Sequence, residues 1–235
     1  MTHKSLIEKK SQAGFTLVEL AIVMIIIGLL IGGVLKGQEL IGNAEIAATS
    51  SQIEGFDAAT TTFRDIYDAV PGDIINPDVR IPNCASAPCS DAGDGNGRVD
   101  SEVPGDASSG ENDGFWIHLH FADLLSGIDP NGQIYPDAEV DGSYTMGYHA
   151  GGALGHNTDG AFRGHYATIV STPGAAAGDD SLTASQAARL DRKLDDGVSD
   201  TGSVFANSGD CDTGTAGEYD EADQAATCDL HFRIQ

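Results

Sequence analysis

Bases are scarce in this chain, and beyond residue 14 they are scarcer still. Lys and Arg total 12 against 36 Asp and Glu, and residues 1–14 hold three of those bases and one of the acids, leaving nine against 35. So acidic a remainder argues against binding to nucleic-acid phosphates, which needs clustered Lys and Arg. Catalytic signatures are missing too: there is no Gly-x-Ser-x-Gly, no His-Glu-x-x-His and no Gly-x-x-x-x-Gly-Lys-Ser/Thr. Nothing in the residue pattern asks for an enzyme. Cys-x-x-Cys is also absent, so zinc-ligand spacing is not available.

What the chain does have is a long apolar run, Phe15 to Leu35, interrupted only by Thr16, Glu19 and glycines. A hydrocarbon core of about 30 Å takes roughly 20 such residues as a helix, so the run predicts a single membrane span. Lys4, Lys9 and Lys10 precede it and the acids follow it, which places the leader in the cytoplasm and the rest outside. A secretory signal peptide would end in a small-x-small cleavage site after the run. Lys36-Gly37-Gln38-Glu39 offers none. Glu19, one turn inside the span, is costly at membrane depth and implies a partner or a role.

The string Gly14-Phe15-Thr16-Leu17-Val18-Glu19-Leu20, behind a short basic leader, resembles the signature of the type IV pilin and type II secretion pseudopilin family. The resemblance implies a substrate of prepilin peptidase, cut after Gly14 and N-methylated on Phe15. It implies an inner-membrane protein of bacteria with a periplasmic C-terminal domain, assembling with other pilin or pseudopilin subunits into a helical filament. It assigns Glu19 to assembly, where the family's carboxylate meets the terminal amine of a neighbouring subunit. The implied fold is α+β: a long N-terminal helix on a small antiparallel sheet with extended irregular loops. The expected layout is a leader over 1–14, a transmembrane helix over 15–35, an amphipathic helix over 36–70 and a globular domain over 71–235. A pseudopilus and a pilus subunit both fit, and a membrane-anchored calcium-binding or adhesive module with a pilin-type export signal is the alternative.

Past the membrane, Ile53, Phe56, Thr60, Phe63, Tyr67 and Val70 recur at steps of three and four. They form one helix face that needs a sheet to pack on, and Pro71-Gly72 stops the helix. Gly28, Gly32, Gly33, Gly37 and Gly42 each lower helix propensity by close to 1 kcal/mol relative to Ala, which points to local unwinding. Residues 71–114 read as an irregular loop, Phe115 to Leu125 as a short core helix, and Tyr144–Tyr148 and His165–Val170 as strands around a glycine-rich loop. Thr183 and Gln186 form a capping box for a helix carrying Ala187, Leu190 and Leu194, stopped at Gly197. The stretch from Leu190 to Val204 looks like a segment near the C-terminus of larger pilin-like proteins. Leu230, Phe232 and Ile234 alternate as in a half-exposed final strand. His118 and His120 fall on different helix faces, where partly buried or surface positions are expected, while His149, His156 and His165 match no ligand spacing and read as part of a flexible loop.

Four cysteines in an exported domain are expected to be oxidised. Three pairings are possible; Cys84 with Cys89 and Cys211 with Cys228 is favoured because each closes a local loop with few apolar residues. The second pair also resembles a C-terminal disulfide loop of many type IV pilins. Asp94-Gly95-Asn96-Gly97-Arg98-Val99-Asp100 fits positions three to nine of a calcium loop, making Asp94, Asn96 and Asp100 the candidate oxygen ligands and Ca2+ the one candidate cofactor. The ends do not fit, since the first and twelfth positions fall on Ala92 and Val103. A tight Gly-Asn-Gly turn in a polar loop accounts for the same string.

Overall fold

The computed structural model describes residues 15–100, 110–150, 162–172, 181–206, 211, 213, 215, 217–223 and 225–235. Gly14 and the leader, Glu102 and Val103, and His156 lie outside these. The chain forms two compact units, Met1–Asn43 and Ala44–Gln235, and helix α1, Leu17–Tyr67, contributes to both. In the first unit every side chain from Phe15 to Leu35 is exposed, including Leu17, Ile25, Leu29 and Leu35. The helix runs through Gly28, Gly32, Gly33 and Gly37 without a break, so the expected unwinding is not found. Hydrogen bonding along the backbone outweighs the propensity cost of scattered glycines once both flanks are helical.

In the second unit α1 buries Ile53, Phe56, Thr60 and Phe63, four of the six positions that the spacing predicts, together with Ile46 and Ala59; Tyr67 is half-buried and Val70 is buried beyond the helix end. The helix ends at Tyr67 rather than Val70, because Asp68 takes a left-handed conformation (φ 46°). Short polar residues tolerate that region better than most. A four-residue helix, α2 (Pro77–Arg80), follows, and then α3 (Gly110–Phe121). Helix α3 starts inside the stretch expected to be loop and stops short of Leu125, again at a left-handed residue, Asp123 (φ 57°). Five successive residues, Phe115 to Leu119, are buried, so this part of α3 is enclosed on every side.

A four-stranded antiparallel sheet takes the order β1 (Ser143–Ala150), β2 (Arg163–Val170), β6 (Leu230–Ile234), β4 (Val204–Ala206). A two-stranded pair joins β3 (Leu182–Thr183) to β5 (Ala226–Cys228), and α4 (Ala184–Leu194) follows β3 directly. The capping box forms at its start: Thr183 Oγ1 accepts from the Gln186 amide at 3.2 Å and the Gln186 carboxamide accepts from the Thr183 amide at 2.9 Å. The fold is α+β, with a long N-terminal helix and a small antiparallel sheet.

Strand β6 corrects the expectation of half exposure. Hydrogen-bonded on both sides, it buries Leu230, Phe232 and Ile234 in the main core and His231 on the opposite face. There the His231 ring stacks on Phe205 at 4.8 Å, in a second cluster with Phe162 and Tyr166. His118 and His165 are likewise buried rather than at the surface. His118 Nδ1 accepts from the Gly72 amide at 2.9 Å and its Nε2 lies 3.0 Å from the Cys89 carbonyl, which fixes the neutral tautomer with the proton on Nε2. Gly72 is at φ 86°, and a Cβ there would come within 2.3 Å of the Glu111 carbonyl oxygen, so only glycine lets this turn approach α3.

The structure joins Cys84 to Cys89 and Cys211 to Cys228, with Cα separations of 5.1 and 5.0 Å. The first bridge is the floor on which His118 rests; the second ties β5 to the segment before it.

These imidazoles predict acid sensitivity. Burial pushes His118 and His165 down to about 4 and His231 to about 3, from an ordinary value of 6.5. Above 6.5 neither the folded nor the unfolded chain protonates them and stability is flat. Below it the unfolded chain binds protons that the folded chain refuses, so stability falls until the folded values are reached. Asp191 opposes this, because burial raises it to about 6 and its protonation relieves the folded state as pH drops. Asp73 and Glu111, also raised by burial, act in the same sense as Asp191, but the imidazole shifts are the larger and leave a net loss of stability between pH 6.5 and 4. Urea midpoints measured across that range should fall steeply with acid.

Candidate functional site

At the start of α1, Glu19 Oε2 accepts from the Thr16 amide at 2.9 Å and from the Thr16 hydroxyl at 2.8 Å, while the Glu19 amide donates to Thr16 Oγ1 at 3.2 Å. This is a reciprocal capping box: a Thr before the first turn, a Glu three residues on, and two otherwise orphaned backbone donors satisfied. Thr16 is therefore the residue that holds the carboxylate, a role the reading of the sequence did not give it. The Thr-x-x-Glu spacing was the available signal. Phe15 beside it is 92% exposed.

A second constellation forms around the loop 94–100. Gly95 (φ 74°) and Gly97 (φ 82°) turn the chain twice in left-handed conformations, so the glycines are needed for the turn itself. Asn96 Nδ2 donates to Asp94 Oδ2 at 3.0 Å and to Asp100 Oδ2 at 2.7 Å, so the three residues picked from the sequence do converge. Two further carboxylates come from outside the string. Asp73 Oδ1 accepts from the Gly95 amide at 2.7 Å and Oδ2 from Gly97 at 2.6 Å. Glu111 of α3 accepts from the Asp94 amide at 3.3 Å and from Asp100 at 2.6 Å. One oxygen each from Asp73, Asp94 and Glu111 lie within 4.8 Å of one another.

Burial first, with neighbouring carboxylates adding to it, raises Asp73 and Glu111 above the usual carboxylate range, even though each accepts two backbone amides. The arrangement fastens a polar loop to α3 and to the turn after α1. It also gathers oxygen donors of the kind a hard divalent cation takes. Sequence spacing pointed to Asp94, Asn96 and Asp100 but could not reach Asp73 or Glu111, which are brought in by the tertiary fold.

A third acidic group, Asp191, Asp195 and Asp196, builds the connection from α4 to β4. Asp191 accepts from Tyr219 Oη at 2.8 Å and from the Gly197 amide at 3.2 Å, and Asp195 Oδ2 accepts from the Ser203 and Val204 amides. Every one of these carboxylates closes a turn.

Comparison with protein families matches residues 9–35 to the prokaryotic N-terminal methylation motif, the type IV pilin and pseudopilin signal. The chain carries a pilin-type export signal. The matched stretch covers the capping box and the exposed apolar part of α1, whose length and composition suffice to cross a membrane. Signal and apolar helix together fit anchoring in the inner membrane. Comparison with curated proteins and with solved structures gives no significant match.

The acidic loop yields a direct test. If a cation binds among Asp73, Asp94 and Glu111, calcium raises the melting temperature of the detergent-extracted chain, since a ligand of the folded state alone stabilises it by mass action. Asp73→Asn abolishes that rise. Because raised carboxylates must shed their protons to bind the ion, the rise is larger at neutral than at acid pH. Equal melting temperatures with calcium and with chelator leave the loop as a hydrogen-bonded turn.

Proposed function

We propose that this chain is a structural subunit of a helical fibre built from the bacterial inner membrane, either a type II secretion pseudopilus or a type IV pilus. The observation that carries the reading is the methylation motif at residues 9–35, supported by the α+β domain that follows it. Prepilin peptidase removes residues 1–14 after Gly14 and Phe15 becomes the methylated N-terminus, with the domain in the periplasm. The apolar face of α1 rests in lipid until it packs against copies of itself in the fibre. The second reading, a membrane-anchored calcium-binding or adhesive module, is favoured by the carboxylates gathered at loop 94–100 and is separated from the first by whether the protein polymerises.

Mass spectrometry of membrane-extracted protein is expected to find N-methyl-Phe15 at the N-terminus. An intact leader in a host that has the peptidase overturns the processing step.

Glu19 sets subunit docking in this reading, and the capping box sharpens the test. Glu19→Gln keeps an acceptor for the Thr16 amide, because Gln serves a capping box as Glu does, yet it removes the charge. Glu19→Ala removes both, at about 1 kcal/mol of helix stability. Both variants are expected to insert and be cleaved while losing most of the filament recovered by shearing, and Glu19→Asp to fall between. Wild-type assembly by Glu19→Gln with failure of Glu19→Ala would make the residue a helix cap and nothing more.

A further inference from the structure

Beyond residue 14 carboxylates outnumber bases almost four to one, so an arginine there has many partners within the chain. Arg192 pairs with Glu221, Arg80 donates to the Tyr67 carbonyl, and Arg98 lies 4.8 Å from the centre of the Tyr148 ring. Arg64 of α1 and Arg233 of β6 differ: among the described residues neither guanidinium has a carboxylate or carbonyl within bonding distance. Both line one cleft, with Gly164, His165, Ile234 and Gln235, where β2 begins and β6 ends.

Among the described residues no carboxylate bonds either guanidinium, although Glu54 and Asp57 line the adjoining cleft with Arg233, and Asp68 and Asp73 the one on the other side of Arg64. Arg233 lies across Gly164, its Nε 3.5 Å from where a Cβ at that glycine would stand. His165 supplies no compensating base, because its Nε2 already accepts from the Val99 amide at 3.3 Å. Arg64 is close enough that its charge, after burial, helps hold that ring neutral. Asp57, which lines the adjoining cleft with Arg233, accepts from the Gln235 amide at 2.8 Å instead. Asp73, in the cleft on the other side of Arg64, is engaged by Gly95 and Gly97. Both guanidiniums line this cleft, and the planar fork of each suits a carboxylate.

We propose that the Arg64 and Arg233 cleft receives a carboxylate of a second copy of this chain, a subunit contact separate from the apolar helix. The proposal rests on the reading of the chain as a fibre subunit. Charge complementarity selects the occupant. Copies carrying 35 acids and nine bases each repel one another wherever like surfaces meet, so a polymer needs a heterologous contact that sets a basic site against an acidic one. Phosphate polyanions are disfavoured by the same net charge. The acidic surface of the next subunit is held at high local concentration by the fibre itself.

The test uses the full-length chain in a host that assembles it. A photoreactive p-benzoylphenylalanine at Gln235, which leaves both arginines in place, is expected to crosslink to an Asp- or Glu-bearing peptide of a second copy, identified by mass spectrometry with isotopically distinct chains. Crosslinks confined to the same chain, in material that forms filaments, overturn the proposal. Arg64→Glu with Arg233→Glu is expected to lower sheared filament by about tenfold or more, since like charges then face each other. Arg64→Gln with Arg233→Gln is expected to lower it less and, having no internal pair to break, to leave the melting temperature unchanged. Full assembly by both double variants, with Glu19→Ala still defective, sinks the cleft and spares the fibre reading. Assembly by none of the chains, wild type included, sinks the fibre reading first.

Discussion

Phe56 is the side chain on which the domain turns. Its ring meets Trp116 of α3 edge-on at 5.1 Å and Tyr144 of β1 edge-on at 4.8 Å, and Trp116 meets Phe115 at 4.9 Å. Such pairs contribute about 0.5–1.5 kcal/mol each beyond the area they bury. More important is what they join: the long helix, the buried helix and the edge of the sheet are placed by one cluster. With α3 held there, His118 can bond to Gly72 and to the disulfide loop. Asn112 can reach β1, accepting from the Met146 amide at 2.9 Å and donating to Thr145 Oγ1 at 2.9 Å. That amide is on an edge strand and would otherwise be an open hydrogen-bonding group.

The excess of acid acquires a structural meaning once the carboxylates are traced. Asp73, Glu111, Asp191 and Asp195 all accept backbone amides of loops that contain few apolar residues. Carboxylate–amide bonds and two disulfides do for these segments what a hydrophobic core does elsewhere. The cost is that several of the carboxylates are partly withdrawn from water and lie near one another, which is why Asp73, Glu111 and Asp191 are harder to ionise than usual.

The first unit obeys different physics. A helix whose large apolar side chains are all exposed is untenable in water, where burying each one fully would contribute about 1.5–3 kcal/mol. In the reading proposed above, lipid satisfies it in the monomer and neighbouring copies satisfy it in the fibre. The capping box lets Glu19 keep two hydrogen bonds in its own chain before any partner is met.

Resemblance to a family signature located the export signal, the length of the apolar run located the membrane-length helix, periodicity the buried stripe from Ile53 to Phe63, residue pattern two of the strands, and the Thr-x-x-Gln spacing the capping box at Thr183. Each depends on residues within a few positions of one another, where backbone geometry dictates which side chains share a face. The early start of α3, the burial of His231 and His165, and the short strand Val204–Ala206 were not legible, because each is set by a neighbour distant in sequence. The same holds at the sites. Local spacing picked out Asp94, Asn96 and Asp100, whereas Asp73 and Glu111 reach them only because α3 packs against the turn after α1. Glu19 was marked by its cost in lipid, but Arg64 and Arg233 lie 169 positions apart and became one basic cleft only when the end of β6 was brought beside α1. The sequence by itself determined which segment is long and apolar enough to cross a membrane and which face of α1 is buried, since both follow from local hydrophobic pattern. Which polar groups meet across the fold was decided by tertiary packing, since no local rule brings distant charges together.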